Sequence, residues 1–367
     1  MASIEITSKR VRIYGLAALL ILIATSPLMA QIIAQDAHVE ELFAAVFASD
    51  VSIVKILLQD GLSPEVRSLE AYESFLWYFG FAYRSEKKLL QTKAEQPGLT
   101  PLMVATAKSN RETVQVLITA GAEIDAQDEV FGWTPLMFGV EACNPESVEI
   151  LLAHGARIDI RNTAGETALR CGVNHYPYTD QTKVCLKAIL DILIGNGANV
   201  NDKNGVGRSV LSRAASRSVG STEICRILIE AGANVNLRDD SGNTILNESL
   251  LSMEYNPDTV KLLIDHGADV NAKDKRSGYT PLMLCAIDGL VESASYLIAH
   301  GADVNEQSYC AKTALMIAVE KDNLHMVKLL LDSEANPNIK MENGPGALYF
   351  AKNDQIRDLL VEAGAKE

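Results

Sequence analysis

Apolar residues in this chain fall in short bursts separated by Gly, Asp and Asn. Val260, Leu262, Leu263 and Ile264 sit at helical spacing and stop at Gly267, and Ile53, Val54, Ile56, Leu57 and Leu58 stop at Gly61 in the same way. Glycine can take the left-handed conformation that ends a helix, and the Asp and Asn residues after it favour a turn. Ahead of such a burst stands another, which opens as Thr-Pro-Leu-Met at Thr100, Thr134 and Thr280 and more loosely at Thr167, Thr244, Thr313 and Gly346. A Thr before a helix satisfies its unpaired N–H groups, and Pro in the next position has its φ already set for the first turn. The pattern predicts pairs of short helices joined by turns.

The pairs repeat in register. The helix stop reads Gly121-Ala-Glu-Ile-Asp125, Gly155-Ala-Arg-Ile-Asp159, Gly197-Ala-Asn-Val-Asn201, Gly232-Ala-Asn-Val-Asn236, Gly267-Ala-Asp-Val-Asn271 and Gly301-Ala-Asp-Val-Asn305, with weaker copies at Glu334 and Gly364. Successive intervals from Gly121 are 34, 42, 35, 35 and 34 residues, then 33 and 30. This combination resembles the ankyrin repeat. The usual His after Pro-Leu is replaced throughout, and the fifth repeat opens with Ser209-Val-Leu211. Neither helix of a pair can bury its apolar face alone, so the resemblance implies an all-α solenoid of about nine helix-turn-helix repeats with projecting β-turn fingers.

The ends and interruptions of the array add detail. Lys9, Arg10 and Arg12 precede an uncharged stretch from Ile13 to Thr25, followed by Pro27 and the small Ala30. That reads as a signal peptide over 1–30 with the cut at Ala30/Gln31, because the stretch is shorter than the roughly 20 residues a membrane span needs. The bulky Leu28 and apolar Gln31-Ile-Ile-Ala34 keep an uncleaved anchor as the alternative. The expected organisation is then a capping repeat over 31–66, an insertion over 67–97, and the array over 98–367 with a smaller insertion near 174–184. The larger insertion collects Tyr72, Phe75, Trp77, Tyr78, Phe79, Phe81 and Tyr83, which is 7 of 21 aromatics within 12 positions. Such a cluster either packs on neighbouring repeats or docks a partner as a second site.

Charge and cysteine content narrow the function. A net charge of −14, or −16 without residues 1–30, argues against nucleic acid and for a basic or neutral protein partner. An exported chain with 6 cysteines permits disulfides. Cys171 and Cys185 bracket the smaller insertion and form either a staple across it or two buried thiols, while Cys225 and Cys285 align with core positions. His154, His266 and His300 each precede the helix-stopping Gly, where a helix C-terminus accounts for them. No spacing suggests a metal, a phosphate loop or a nucleophile with its base, so no cofactor and no catalytic residue is expected. Arg213 and Glu248, at equivalent positions of adjacent repeats, suggest an inter-repeat ion pair.

The resemblance implies that the turns line a concave face that binds other proteins. Carried over by position, the finger residues are Phe131, Trp133, Arg161, Arg208, Tyr279, Tyr309 and Lys312, with Glu141, His175, Arg217, Asp288 and Glu320 on the helix side. Trp133 and Tyr279 occupy the same slot, between Gly and Thr. Aromatics and Arg dominate binding hot spots. The expected protein is a monomeric, non-catalytic adaptor of the cell envelope, with the periplasm as its place. A secreted effector or toxin-neutralising protein using the same surface, and a ligand or enzymatic role in the insertions, are the rivals.

Overall fold

The computed structural model describes residues 27–67, 98–108, 110–174, 180–217, 221–342 and 344–366. Residues 1–26, the aromatic run from Tyr72 to Tyr83, and His175 lie outside the described residues. Two compact units divide the chain, Met1–Arg157 and Ile158–Glu367. Nine helix pairs are present among the described residues.

The N-terminal unit holds three pairs: α1 (Pro27–Ala48) with α2 (Val51–Gln59), α3 (Pro101–Ala107) with α4 (Arg111–Thr119), and α5 (Pro135–Glu141) with α6 (Pro145–Ala153). The C-terminal unit holds α7 (Ala168–Asn174) with α8 (Asp180–Gly195), α9 (Val210–Ala215) with α10 (Ser221–Glu230), and α11 (Ile245–Leu250) with α12 (Pro257–Asp265). It continues with α13 (Pro281–Asp288) and α14 (Val291–Ala299), then α15 (Ala314–Glu320) and α16 (Leu324–Asp332), and closes on a 3-10 turn (Ala347–Phe350) with α17 (Asp354–Glu362). α1 runs through the expected cleavage bond Ala30/Gln31. No helix among the described residues is long and apolar enough to cross a membrane.

Capping explains where many of the helices start. The hydroxyls of Thr100, Thr134, Thr244, Thr280 and Thr313 accept the N–H three residues on at 3.2–3.4 Å, and Ser209 does the same at 3.0 Å. The second helices use a different cap: Asp50, Asn110, Asn144, Asn256, Asn323 and Asn353 each accept N–H groups of the following turn. Each cap contributes about 1 kcal/mol to a helix of only two turns, which alone would not persist in water.

The first helices are buried nearly all round. Leu102 and Met103, Leu136 and Met137, Leu282 and Met283, and Leu315 and Met316 are each at most 1% exposed. Burying each such side chain yields about 1.5–3 kcal/mol, so stacking supplies most of the stability. Close approach appears at Gly139 in α5, where a Cβ would lie 2.9 Å from the Thr106 methyl of α3.

Candidate binding surface

The loop between one helix pair and the next is a closed finger. A backbone N–H at its base donates to the carbonyl at its far side: Asn162 to Glu166, Asn204 to Arg208, Asp239 to Asn243 and Ser308 to Lys312, each at 2.9–3.0 Å. Two fingers are one residue longer, closing from Asp128 to Trp133 and from Asp274 to Tyr279, both at 3.0 Å.

Finger length decides how many acceptor oxygens the base residue must supply. In the short fingers a single amide oxygen suffices, as Asn162 Oδ1 accepts from Ala164 and Glu166 N–H and Asn204 Oδ1 from Val206 and Arg208 N–H. The long fingers need two acceptors. Asp128 takes the N–H groups of Val130 and Phe131 on one oxygen and of Trp133 on the other; Asp274 takes Arg276 and Ser277 on one and Tyr279 on the other. Burial pushes the Asp128 carboxyl above its usual value against those bonds. Burial works the same way on Asp274, but the Ser277 hydroxyl and three backbone N–H groups outweigh it and hold this carboxyl below the usual value.

Two ladders sew consecutive repeats together. In the first, the Asn that ends each Gly-Ala-x-x-Asn signature donates to the carbonyl of the next helix-stop residue and accepts the N–H two residues beyond it. Asn236 reaches Gly267 O at 2.9 Å and Asp269 N at 2.8 Å, and Asn271 reaches Gly301 O at 3.1 Å and Asp303 N at 2.8 Å. Asn201, Asn305 and Asn338 repeat the arrangement.

In the second ladder, a long donor two residues further on reaches the backbone carbonyl of its own counterpart in the next finger. The rungs run Arg161 to Lys203, Lys203 to Arg238, Arg238 to Lys273, Lys273 to Gln307 and Gln307 to Lys340, at 2.7–3.3 Å. Arg67 reaches Gln127 O in the N-terminal unit at 3.2 Å. The period of the donors is visible in the sequence at the seventh residue of each signature, beyond the five residues that first draw the eye.

Several residues expected to meet a partner are engaged in these internal contacts. Arg161 also forms a two-pronged ion pair with the buried Asp202 and donates to Gly165 O at 2.7 Å. Arg208 pairs with Glu248 at 2.8 Å while remaining 54% exposed. Lys312 binds Glu320 at 2.6 Å and lies over the Phe350 ring at 5.6 Å. Phe131 and Trp133 are half-buried, their rings 6.2 Å apart, with Trp133 edge-on to the buried Phe138 at 5.4 Å.

Tyr279 is half-buried and Tyr309 is 62% exposed. Tyr309 N–H donates to Ser277 O at 3.0 Å and its ring covers Gly278, where φ is +70° and a Cβ would fall 2.6 Å from the ring. Among the helix-side residues, Glu141 is half-buried and Asp288 and Glu320 are exposed.

Three expectations need correction. The Arg213–Glu248 ion pair does not form: Arg213 Nε turns back to Asn174 Oδ1 at 2.6 Å, and Glu248 is taken by Arg208 and the Ser212 hydroxyl. Arg217 is not a surface residue; it is 2% exposed and donates to Val173 O at 2.9 Å. Arg170 of α7 is likewise 2% exposed; its guanidinium donates to Arg208 O at 2.9 Å and pairs with Glu166 at 3.4 Å. Burial lowers the Arg170 pKa, and Glu166 opposes that shift.

The Cys171–Cys185 staple is also absent. Cys171 keeps a buried thiol to which Asn162 Nδ2 donates at 3.9 Å, and it forms no bond to Cys185. Cys171 sits on the core side of α7 at 3% exposure, so its sulfur faces the interior and not the adjoining insertion. Burial pushes the core thiols Cys225 and Cys285 up to about 12, which leaves them unreactive at neutral pH. Among the described residues no cluster of three or more His, Cys, Asp and Glu is placed to hold a metal.

Stacked helix pairs with laddered fingers define a repeat protein whose variable side chains sit on a fixed backbone. A family model of ankyrin repeats matches residues 42–162, 183–274, 250–341 and 282–366, and the chain belongs to that family. Among curated proteins it is similar to the ankyrin repeat and KH domain-containing protein mask-1 of Caenorhabditis elegans, 34% identical over 95 residues, which is 24% of this chain and 4% of that protein. It is also similar to an L-asparaginase of Dirofilaria immitis, 35% identical over 80 residues, 22% of this chain and 14% of that protein. The matched stretches are thus a small part of both relatives. Ankyrin repeats generally mediate protein–protein interaction, and the family is typically non-enzymatic.

Proposed function

We propose that this chain is a non-catalytic binding scaffold of the cell envelope that holds a protein partner through the fingers of its C-terminal unit. Tyr309 carries the reading. It is a large aromatic left 62% exposed on a backbone fixed by Ser277 and Gly278, so contact with a partner costs little ordering. Tyr279 in the neighbouring finger and the half-exposed Arg208 extend the same type of surface.

Export is supported by the basic N-terminus followed by an apolar stretch and Ala30, and by an even cysteine count, which suits an oxidising compartment. The periplasm fits both; secretion as an effector would use the same surface in another place. The partner is basic or neutral, since the chain is strongly acidic.

The test is capture from native envelope extract by residues 31–367, beside the Tyr279→Ala/Tyr309→Ala variant. Trp133 is left intact because its ring packs on Phe138 and its loss would disturb the fold. A protein retained by the wild type and lost with the variant is expected; equal capture by both would move the binding surface elsewhere. Fractionation of the same cells should place the chain with periplasmic markers, and recovery from the medium alone would favour the effector reading.

A further inference from the structure

Several cations of the C-terminal unit have an internal carboxylate, as Lys261 has Glu292 at 2.6 Å and Lys273 has Glu306 at 2.8 Å. The last helix pair differs. There Lys340, Arg357 and Lys366 line one cavity of about 340 Å³, together with Pro345, Leu348 and Tyr349, and no Asp or Glu among the described residues lines it. Among the described residues none of these three cations is in an ion pair. In a chain of net charge −14 that is a local inversion of sign.

The cations are carried on fixed backbone. Lys340 O accepts from Gln307 Nε2 at 3.2 Å, and Lys340 bridges to Gly346 across the finger. Lys366 N–H donates to Asn338 Oδ1 at 2.8 Å. Arg357 Nη2 donates to Ala351 O at 2.9 Å, which orients the guanidinium and leaves other N–H donors of its five for a ligand. Beside them stand buried Leu348 and Tyr349, the latter 76% exposed and edge-on to Phe350 at 5.4 Å.

We propose that this cavity binds an acidic peptide segment of a partner, with a carboxylate taken by Arg357, Lys340 and Lys366 and an adjacent apolar side chain resting on Tyr349, Leu348 and Pro345. A planar guanidinium matches a carboxylate with two parallel hydrogen bonds. The volume exceeds what one small anion fills and falls at the lower end of the range for organic ligands, which favours a side chain with its neighbour over a free ion. The site is separate from the Tyr279 and Tyr309 fingers, and it selects the opposite charge from the partner that the chain as a whole attracts.

The test is fluorescence anisotropy of the full chain with a labelled peptide of alternating Asp and Phe, its counterpart with Asn for Asp, and inorganic phosphate as competitor. The Asp peptide is expected to bind and the Asn peptide to fail. Arg357→Gln and Lys366→Gln should each weaken binding about tenfold, the scale of one charged hydrogen bond. Lys352→Gln, an exposed cation of the same repeat outside the cavity, should leave affinity unchanged. Circular dichroism checks the fold of each variant, and Lys366, exposed near the chain end, gives a substitution that leaves the helices intact.

Unchanged binding in both cavity variants, or an equal loss in Lys352→Gln, would overturn the proposal. Displacement of the peptide by phosphate at matching concentration would also overturn it, in favour of a small-oxyanion site.

Discussion

The two compact units solve the same joining problem with different side chains. In the C-terminal unit the five stitches from Asn201 to Asn338 use an amide, which donates to one repeat-end carbonyl and accepts one N–H; only the first signature position, Asp159, carries a carboxylate there. In the N-terminal unit the corresponding residue is Asp125, which accepts Arg157 N–H at 2.9 Å and has no proton to give, while Glu65 serves the joint before it by accepting Glu123 N–H at 2.6 Å. An Asn and an Asp differ by one atom, yet one makes a full stitch and the other half of one. The preference for Asn at this position is therefore a hydrogen-bonding requirement between repeats, and the turn propensity it shares with Asp is secondary.

The largest expected effect comes from removing two adjacent full stitches. Asn236→Ala with Asn271→Ala deletes four hydrogen bonds and should cost about 2–4 kcal/mol. Hydrogen exchange should show the loss in the C-terminal unit with protection in the N-terminal unit unchanged; equal loss in both would mean that the stitches do not act locally.

Next comes Asp274→Asn, which leaves a long finger one acceptor oxygen short and should cost about 1–2 kcal/mol at neutral pH. The Asp274 carboxyl lies below its ordinary value when folded, so its contribution is present above the unfolded value and fades as pH falls through the folded one. Melting curves of wild type and variant should thus converge in acid; a constant gap would show that the charge is irrelevant. Asp128, held above its ordinary value, has the opposite sign, and its contribution is largest below the unfolded value and is lost as pH rises through the folded one.

The smallest effect sharpens the comparison in reverse. Asp125→Asn supplies the missing donor to the repeat end at Gly155 and should stabilise the N-terminal unit by about 0.5–1 kcal/mol, read as a rise in its denaturant midpoint.

Legibility in the sequence followed the range of the interaction. Thr280 and Pro281 announce their helix because a cap involves residues three apart, and the nine repeats were countable because the caps and stops recur in register. The roles of Arg161 and Arg208 were not readable in the same way. Each looks like a hot-spot residue until Asp202, 41 positions on, and Glu248, 40 positions on, are seen beside them. Arg213 and Glu248 stand out as polar residues in an apolar slot, but residue type does not say that one points to the repeat before and the other to a finger.

Between the two readings of Cys171, the buried thiol holds for the same reason. Closeness in sequence suggested a staple, whereas burial on the core side of α7 removed Cys171 from reach. The Asn caps of the second helices, at Asn110, Asn144, Asn256, Asn323 and Asn353, were available in the sequence and went unread because they are not followed by a Pro-Leu signature.

The amide stitch has a consequence for how such a chain changes length. Each seam joins like to like, the same residue of one repeat to the same two atoms of the next, at a spacing of 35 residues through Gly197, Gly232 and Gly267. Excising residues 236–270 would bring Asn271 to the place Asn236 held, while Asn201 upstream keeps its partners Gly232 and Asn234. The stitch in this stretch is thus an interchangeable part, and whole periods can be gained or dropped by recombination without redesigning it.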